Sequence, residues 1–287
     1  MASPLPSPGL PAPTECGWSL RGKAFGGLQW GTPTEPLVLL HGFLDHAGGW
    51  DRVARRLGRG SMALDHRGHG RSAWVGPGET YHFAEYVADL DALVDALGGR
   101  VRLVGHSMGG TVASVYAGAR PDRVAALVVL DGLGLPDGGA GARTRMVEFL
   151  DGARAPRPER VMVDEAEAAM RLTRAYPGLD AEFARELAQR GTRPVPGGLA
   201  WAYDPRHRSR SAVPYRQDQH QRFLEAIRCP VLSIHPEHSP FAVEDVARVE
   251  ACIPDLRVAT VAGAGHMLPL DAPEAVASLI EEFLQAN

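Results

Sequence analysis

The chain has 287 residues, 45% of them hydrophobic and 22% charged, with a formal net charge of −4. That length allows one large domain or one domain carrying an insertion, and the composition excludes collagen, coiled-coil, disordered and disulfide-scaffold classes. No apolar run approaches the roughly 18–20 residues a membrane helix needs, and the slight negative charge gives no general pull toward nucleic acid or anionic lipid. Three scattered cysteines, Cys16, Cys229 and Cys252, have neither CxxC nor zinc spacing and read as free thiols. With no positively charged start leading into an apolar stretch, a cytoplasmic location is expected.

Residues 1–16 are rich in proline and lack periodicity, which predicts a disordered tail. Short strands are expected at 18–21 and 24–30. A buried third strand, Leu37–Leu40, ends in His41-Gly42. The segment Trp50–Leu57 reads as helical, and Ser61–Leu64 as a fourth strand ending in Asp65. Phe83, Tyr86, Val87, Leu90, Val94 and Leu97 recur at 3.6-residue spacing and mark one face of a helix. Strand Val101–Val104, helix Ser107–Ala117 and a sixth strand, Val124–Leu130, follow. This alternation argues for a parallel sheet covered on both faces.

After Gly132 the alternation stops. Residues 133–228 are rich in Arg, Gly and Pro, with helical patches such as Leu179, Phe183 and Leu187 at four-residue spacing. Alternation resumes with a seventh strand at Val231–Ile234, a strand near 256–261 and a helix over about 272–285. Asp271 and Glu274 stand three apart at its start, as in a capping box. The chain is therefore expected to form one α/β core, 17–132 plus 229–287, interrupted by a helical cap over 133–228.

Gly105, Ser107 and Gly109 spell G-x-S-x-G between a buried strand and a helix. A sharp strand-to-helix turn strains the serine backbone, so its near neighbours must lack side chains, and the hydroxyl projects at the C-terminal edge of the sheet. The helix N-terminus beneath it favours developing negative charge. Three further stretches accompany this turn: His41-Gly42-Phe43 after the third strand, Asp65-His66-Arg67-Gly68-His69-Gly70-Arg71-Ser72 after the fourth, and Gly263-Ala264-Gly265-His266 before the last helix.

In these motifs, their order and their spacing, the chain resembles the α/β-hydrolase fold family over nearly everything after the tail, and its serine hydrolase-like branch in particular. The resemblance implies a mostly parallel twisted sheet flanked by helices, with an inserted helical cap. It makes Ser107 the nucleophile and His266 the base. It assigns the oxyanion hole to the backbone N–H groups of Phe43, just after His-Gly, and Met108, just after the nucleophile.

Two residues are candidates for the third member of the triad. The common arrangement places an aspartate after the seventh strand, but this chain reads His235-Pro236-Glu237-His238-Ser239-Pro240, and serine occupies that position. Ser239 cannot stabilise an imidazolium by charge. Asp131, at the end of the sixth strand and 24 residues after Ser107, is one candidate; the stretch Leu130-Asp131-Gly132-Leu133-Gly134 fits the branch that the chain resembles. Glu237, with its longer side chain, is the other. Either would hold the histidine tautomer and stabilise its charged form.

Other residues invite a functional reading and favour a plainer one. Asp65, His66 and His69 lack a second ligand cluster, so a turn is expected there and no metal. Arg67 and Arg71 are expected to brace loops, and His41 and His106 to pack or hydrogen-bond beside the catalytic turns. The run Arg206, Arg208, Arg210, Arg216 and Arg222 reads as a solvated cap face paired with Asp204 and Asp218. Trp201, Tyr203 and Tyr215 are candidates for the cap's underside.

The sequence thus predicts a serine hydrolase, without cofactor or metal, acting on an ester or thioester of a small-to-medium acyl group through an acyl-enzyme. Its partner is expected to be a small-molecule acyl substrate, with no nucleic acid and no membrane. The other readings are a non-catalytic ligand-binding protein on a hydrolase scaffold and a cofactor-free oxygenase or perhydrolase.

Overall fold

The computed structural model describes residues 10–134, 141–155, 158–240 and 246–287. The first strands are β1 (Thr14–Leu20), β2 (Lys23–Trp30), β3 (Leu37–Leu40) and β4 (Ser61–Leu64), with the short helix α1 (Asp51–Ala54) before β4. Then come α2 (Phe83–Ala96), β5 (Val101–His106), α3 (Met108–Ala119) and β6 (Val124–Leu130). The insertion holds α4 (Ala142–Arg154), α5 (Glu165–Ala175), α6 (Ala181–Gly191), the hairpin strands β7 (Thr192–Val195) and β8 (Gly198–Trp201), and α7 (Gln217–Leu224). The chain closes with β9 (Val231–Pro236), α8 (Val246–Glu250), β10 (Leu256–Val261), α9 (Leu268–Asp271) and α10 (Pro273–Ala286).

Among the described residues, eight strands form one sheet in the order β1-β2-β4-β3-β5-β6-β9-β10. β1–β2 and β2–β4 pair antiparallel, and the remaining neighbours pair parallel. Every residue of β3 and β4 is buried, as strands covered on both faces must be. One apolar cluster joins α2, α3 and α7 to one face through Leu90, Val112, Tyr116 and Leu224. The other joins α1 and α10 to the opposite face through Val53, Ala54, Ile280 and Phe283. The parallel strands all end on the same rim, where open α/β sheets place their ligands.

The sequence expectations need three corrections. Residues 14–16, assigned to a disordered tail, belong to β1, and Leu10 donates its N–H to Arg55 O at 2.8 Å. Arg21 and Gly22, both at positive φ (51° and 75°), form a tight turn that sets β1 in register against β2; pairing rather than hydrophobic periodicity makes this strand. The part of the expected tail before residue 10 lies outside the described residues. The sheet-packed chain also resumes before 229, because α7 seats Leu224 in the core and His220 Nε2 lies 2.9 Å from Ser114 Oγ of α3. Finally, the capping box does not form. Ala272 occupies the N-cap of α10, and the Asp271 carboxylate accepts the Gly265 N–H at 3.0 Å.

The insertion has its own small core around Phe183, Leu187 and Met162. Asp180 caps α6 by accepting from the Glu182 and Phe183 amides. A buried ion pair ties α6 to the sheet: Arg190 donates to both oxygens of fully buried Asp65, at 2.9 and 2.7 Å.

Candidate active site

β5 delivers Ser107 to the rim at φ 53° and ψ −120°. A Cβ on Gly105 would come within 2.4 Å of Gly109 O, and one on Gly109 within 2.2 Å of Leu40 O, so the turn closes only between glycines. The Ser107 N–H bonds Leu130 O at 2.9 Å, which ties this strained residue to β6 next door.

Asp131 follows β6 directly. It too has positive φ, 43°, a conformation that aspartate tolerates better than most residues, and its N–H bonds Ile234 O at 3.0 Å. His266 comes from the loop between β10 and α9. Bonds from several sides fix that loop: Gly263 N–H to Glu237 Oε2 at 2.6 Å, Gly265 N–H to Asp271 Oδ2, His238 N–H to Ala264 O at 3.2 Å, and the His106 ring, whose Nε2–H donates to His266 O at 2.7 Å.

These elements bring the three side chains together. His266 Nε2 lies 3.1 Å from Ser107 Oγ, and His266 Nδ1 lies 2.6 Å from Asp131 Oδ2. Burial alone would raise the Asp131 pKa. Hydrogen bonds from His266 and from Ser239 Oγ, the latter 2.7 Å from Oδ2, outweigh that and hold it below its ordinary value. Asp131 is thus kept as a carboxylate, with Nδ1–H of His266 as its donor and the bare Nε2 facing the serine hydroxyl.

The alternative acid, Glu237, has its carboxylate turned to the Gly263 amide, where it shapes the histidine loop. Gly42 passes directly over the serine, since a Cβ there would sit 3.3 Å from Ser107 Cβ. The amides of Phe43 and Met108 make no hydrogen bond among the described residues. The Met108 N–H belongs to the first turn of α3, where such groups have no partner within the helix. Phe43's side chain is 50% exposed and lines the cavity above Ser107.

A stack of neutral histidines supports the loop carrying Phe43. His69 Nδ1–H donates to Arg67 O, and its Nε2 accepts the Leu44 N–H at 3.2 Å, beside Leu44's own positive φ of 60°. His41 accepts the His66 N–H at Nε2 and donates to Gly42 O at 2.7 Å. His207, from the insertion, stacks on His69 with ring centroids 4.2 Å apart. Burial is the chief cause that depresses all their pKa values: His66 to about 3, His69 to about 4, His207 to about 2 and His41 well below its ordinary value. Among the described residues no group of three or more His, Cys, Asp or Glu side chains stands arranged to hold a metal ion.

The bracing arginines do what their surroundings demand. Arg67 forks onto buried Asp89 at 2.5 Å and Arg216 pairs with Asp218 at 2.8 Å, but Arg206 departs from the expected solvated face: its partner Asp204, at 2.6 Å, is buried, and it also donates to Val75 O and Gly76 O. Tyr215 lines the cavity, Tyr203 pairs its backbone with His69, and Trp201 packs against the insertion's core. Sequence reasoning missed Ser239, His69 and Asp271 as parts of the site. Ser239 carried the clearest signal, since it stands where the usual acid would face the histidine.

The α/β-hydrolase fold profile matches residues 35–273. The chain belongs to the α/β-hydrolase fold family. The serine hydrolase-like protein of Danio rerio is 31% identical over 276 residues, covering 90% of this chain and 84% of that one. Lipase LipV of Mycobacterium tuberculosis is 40% identical over 159 residues, 53% of this chain and 57% of its own. Among solved structures, the thioesterase domain from the curacin biosynthetic pathway superposes on this α/β-hydrolase with a TM-score of 0.86 at 31% identity, covering 94% of this chain and 99% of that one. No helix among the described residues is long and apolar enough to cross a membrane.

Proposed function

We propose that this α/β-hydrolase cleaves carboxylic esters or thioesters through an acyl-enzyme on Ser107. The observation that carries the reading is the unbroken hydrogen-bonded chain Ser107–His266–Asp131 at the C-terminal rim of the sheet. His266 takes the hydroxyl proton as Ser107 Oγ attacks the carbonyl carbon, and Asp131 stabilises the imidazolium. The amides of Phe43 and Met108 hold the tetrahedral oxyanion, each such donor contributing about 3–4 kcal/mol to the barrier reduction. His266 returns the proton to the leaving alcohol or thiol. Water, activated by the same ring, then releases the acid and restores the serine.

The lipase and thioesterase relatives are named for acyl substrates, which supports this choice of bond. The scheme uses no cofactor and no partner beyond the small-molecule acyl substrate. Three unpaired thiols agree with a reducing cytoplasm as its site of action.

The test is a panel of nitrophenyl esters and acyl thioesters. The wild type should hydrolyse some of them, and Ser107→Ala should abolish that turnover. Activity that survives Ser107→Ala would reject the assignment, and oxygen consumption without ester cleavage would support an oxygenase instead.

A further inference from the structure

The cavity over Ser107 measures about 2110 Å³, roughly twice the upper end of ordinary small-molecule pockets and more than a small acyl group needs. Much of it extends away from Ser107 along α3. That helix is otherwise packed into the core, yet Met108, Thr111, Val115 and Ala119 all line the cavity. Their spacing of three, four and four residues makes one stripe along the whole helix.

α2 supplies a parallel wall. Phe83, Val87 and Asp91 recur every four residues, line the same space and stay short of full burial. Phe223 of α7 flanks the groove and is 36% exposed. α4 supplies the roof: Arg145, Phe149 and Gly152 face the cavity from one side of the helix. No side chain of α4 is buried, although Met146, Val147 and Leu150 are apolar. A roof that buries nothing, over a floor in which Met108, Val115, Val87 and Phe83 stay short of full burial, is the signature of an apolar volume waiting to be filled. The far end is polar, marked by Arg120 and Asp91, 3.6 Å apart.

We propose that this groove holds the acyl chain of the substrate, extended along α3 from Ser107 toward Ala119. The inference rests on the ester or thioester hydrolase reading and names its substrate class as medium-to-long straight-chain acyl groups. From Met108 to Ala119 the helix advances about 16 Å at its standard rise. Tetrahedral carbon bonds of about 1.5 Å advance an extended chain by roughly 1.3 Å per carbon. The groove therefore accommodates about a dozen carbons, beyond the small-to-medium acyl group that the sequence motifs suggest. Val115, midway along the stripe, and Ala119, at its end, set the length.

The experiment measures kcat/KM for nitrophenyl esters from butyrate to tetradecanoate. Each methylene newly buried in the groove raises kcat/KM by up to about fourfold, so the wild type should favour dodecanoate over butyrate by at least tenfold. Val115→Trp should lower the dodecanoate-to-butyrate ratio tenfold or more. Ala119→Trp, at an exposed helix end and tolerant of bulk, should lower the dodecanoate-to-octanoate ratio while sparing the octanoate-to-butyrate ratio. A flat profile in the wild type, or ratios that neither substitution moves, would overturn the groove. Failure of every ester would instead strike the hydrolase reading. A binding titration keeps the two apart: Ser107→Ala protein should bind dodecanoate saturably, and adding Val115→Trp should weaken that binding at least tenfold. No binding by Ser107→Ala would overturn the groove whatever the fate of the hydrolase reading.

Discussion

Ser239 Oγ donates a 2.7 Å hydrogen bond to Asp131 Oδ2, the same oxygen that accepts from His266 Nδ1. The serine occupies the rim position after β9 where the family's usual acid stands, and the carboxylate sits one strand over, at the end of the neighbouring β6. That position still bears on the histidine, through the Asp131 carboxylate.

This arrangement separates the two acidic candidates by experiment. Asp131→Asn should lower kcat by about 10³–10⁴, because an amide neither enforces the histidine tautomer nor stabilises its charge. Glu237→Gln should stay within a few-fold of wild type, since its carbonyl oxygen still accepts the Gly263 amide. Ser239→Ala should lower kcat by up to about tenfold. It should also move the acid limb of the kcat/KM profile to higher pH, because an Asp131 carboxylate with one donor fewer holds the imidazolium of the base more strongly. Steady-state kinetics across pH checks all three, and an unmoved acid limb in Ser239→Ala would remove Ser239 from the site.

His69 tests the oxyanion loop. His69→Phe keeps a ring against His207 but deletes the acceptor for the Leu44 amide. An orphaned N–H costs about 1–3 kcal/mol, which the loop relieves by shifting. The expected result is a 10- to 100-fold fall in kcat with KM little changed, because the misplaced Phe43 amide matters most in the transition state. His69→Gln, which offers an amide acceptor, should recover part of the loss. Equal falls from both variants, in proportion to lost thermal stability, would make His69 merely structural.

Much of the fold was legible in the sequence. The rim motifs name their own turns, and the buried strands β3, β4 and β6 read as apolar runs. What escaped detection depends on partners distant in the chain. β1 exists because β2 offers it an edge; Asp271 gives its carboxylate to the Gly265 amide and Ala272 takes the N-cap. The sequence favours Asp131 as the acid, with Glu237 as the alternative; that Gly263 takes the glutamate was not legible there. The groove along α3 was hidden for a similar reason: an apolar stripe reads as core until the roof above it proves to bury nothing.

The buried histidines predict a steep acid instability. Seven of them, His41, His46, His66, His69, His106, His207 and His220, have pKa values depressed chiefly by burial. A depressed histidine contributes its stability in full above the unfolded pKa of about 6.5 and loses it as pH falls toward the folded value, near 4 for His69. Each contributes a slope of up to about 1.4 kcal/mol per pH unit in that window. Asp45, pushed up to about 7 by burial, and Asp271, raised above its ordinary value by burial, act in the opposite sense, two groups against seven. Denaturant titrations should therefore show stability dropping between pH 6.5 and 4.5. His207→Phe, which cannot be protonated, should flatten that drop; a flat wild-type curve would mean these rings are not buried neutral in solution.

The central claim is that Ser107 is a nucleophile activated by His266 and Asp131. Labelling with a fluorophosphonate, followed by peptide mass spectrometry, tests it most directly. The account predicts a single adduct on the peptide carrying Ser107, absent in Ser107→Ala and slowed at least a hundredfold in His266→Ala. An unlabelled wild-type protein, or an adduct on any other residue, would contradict it.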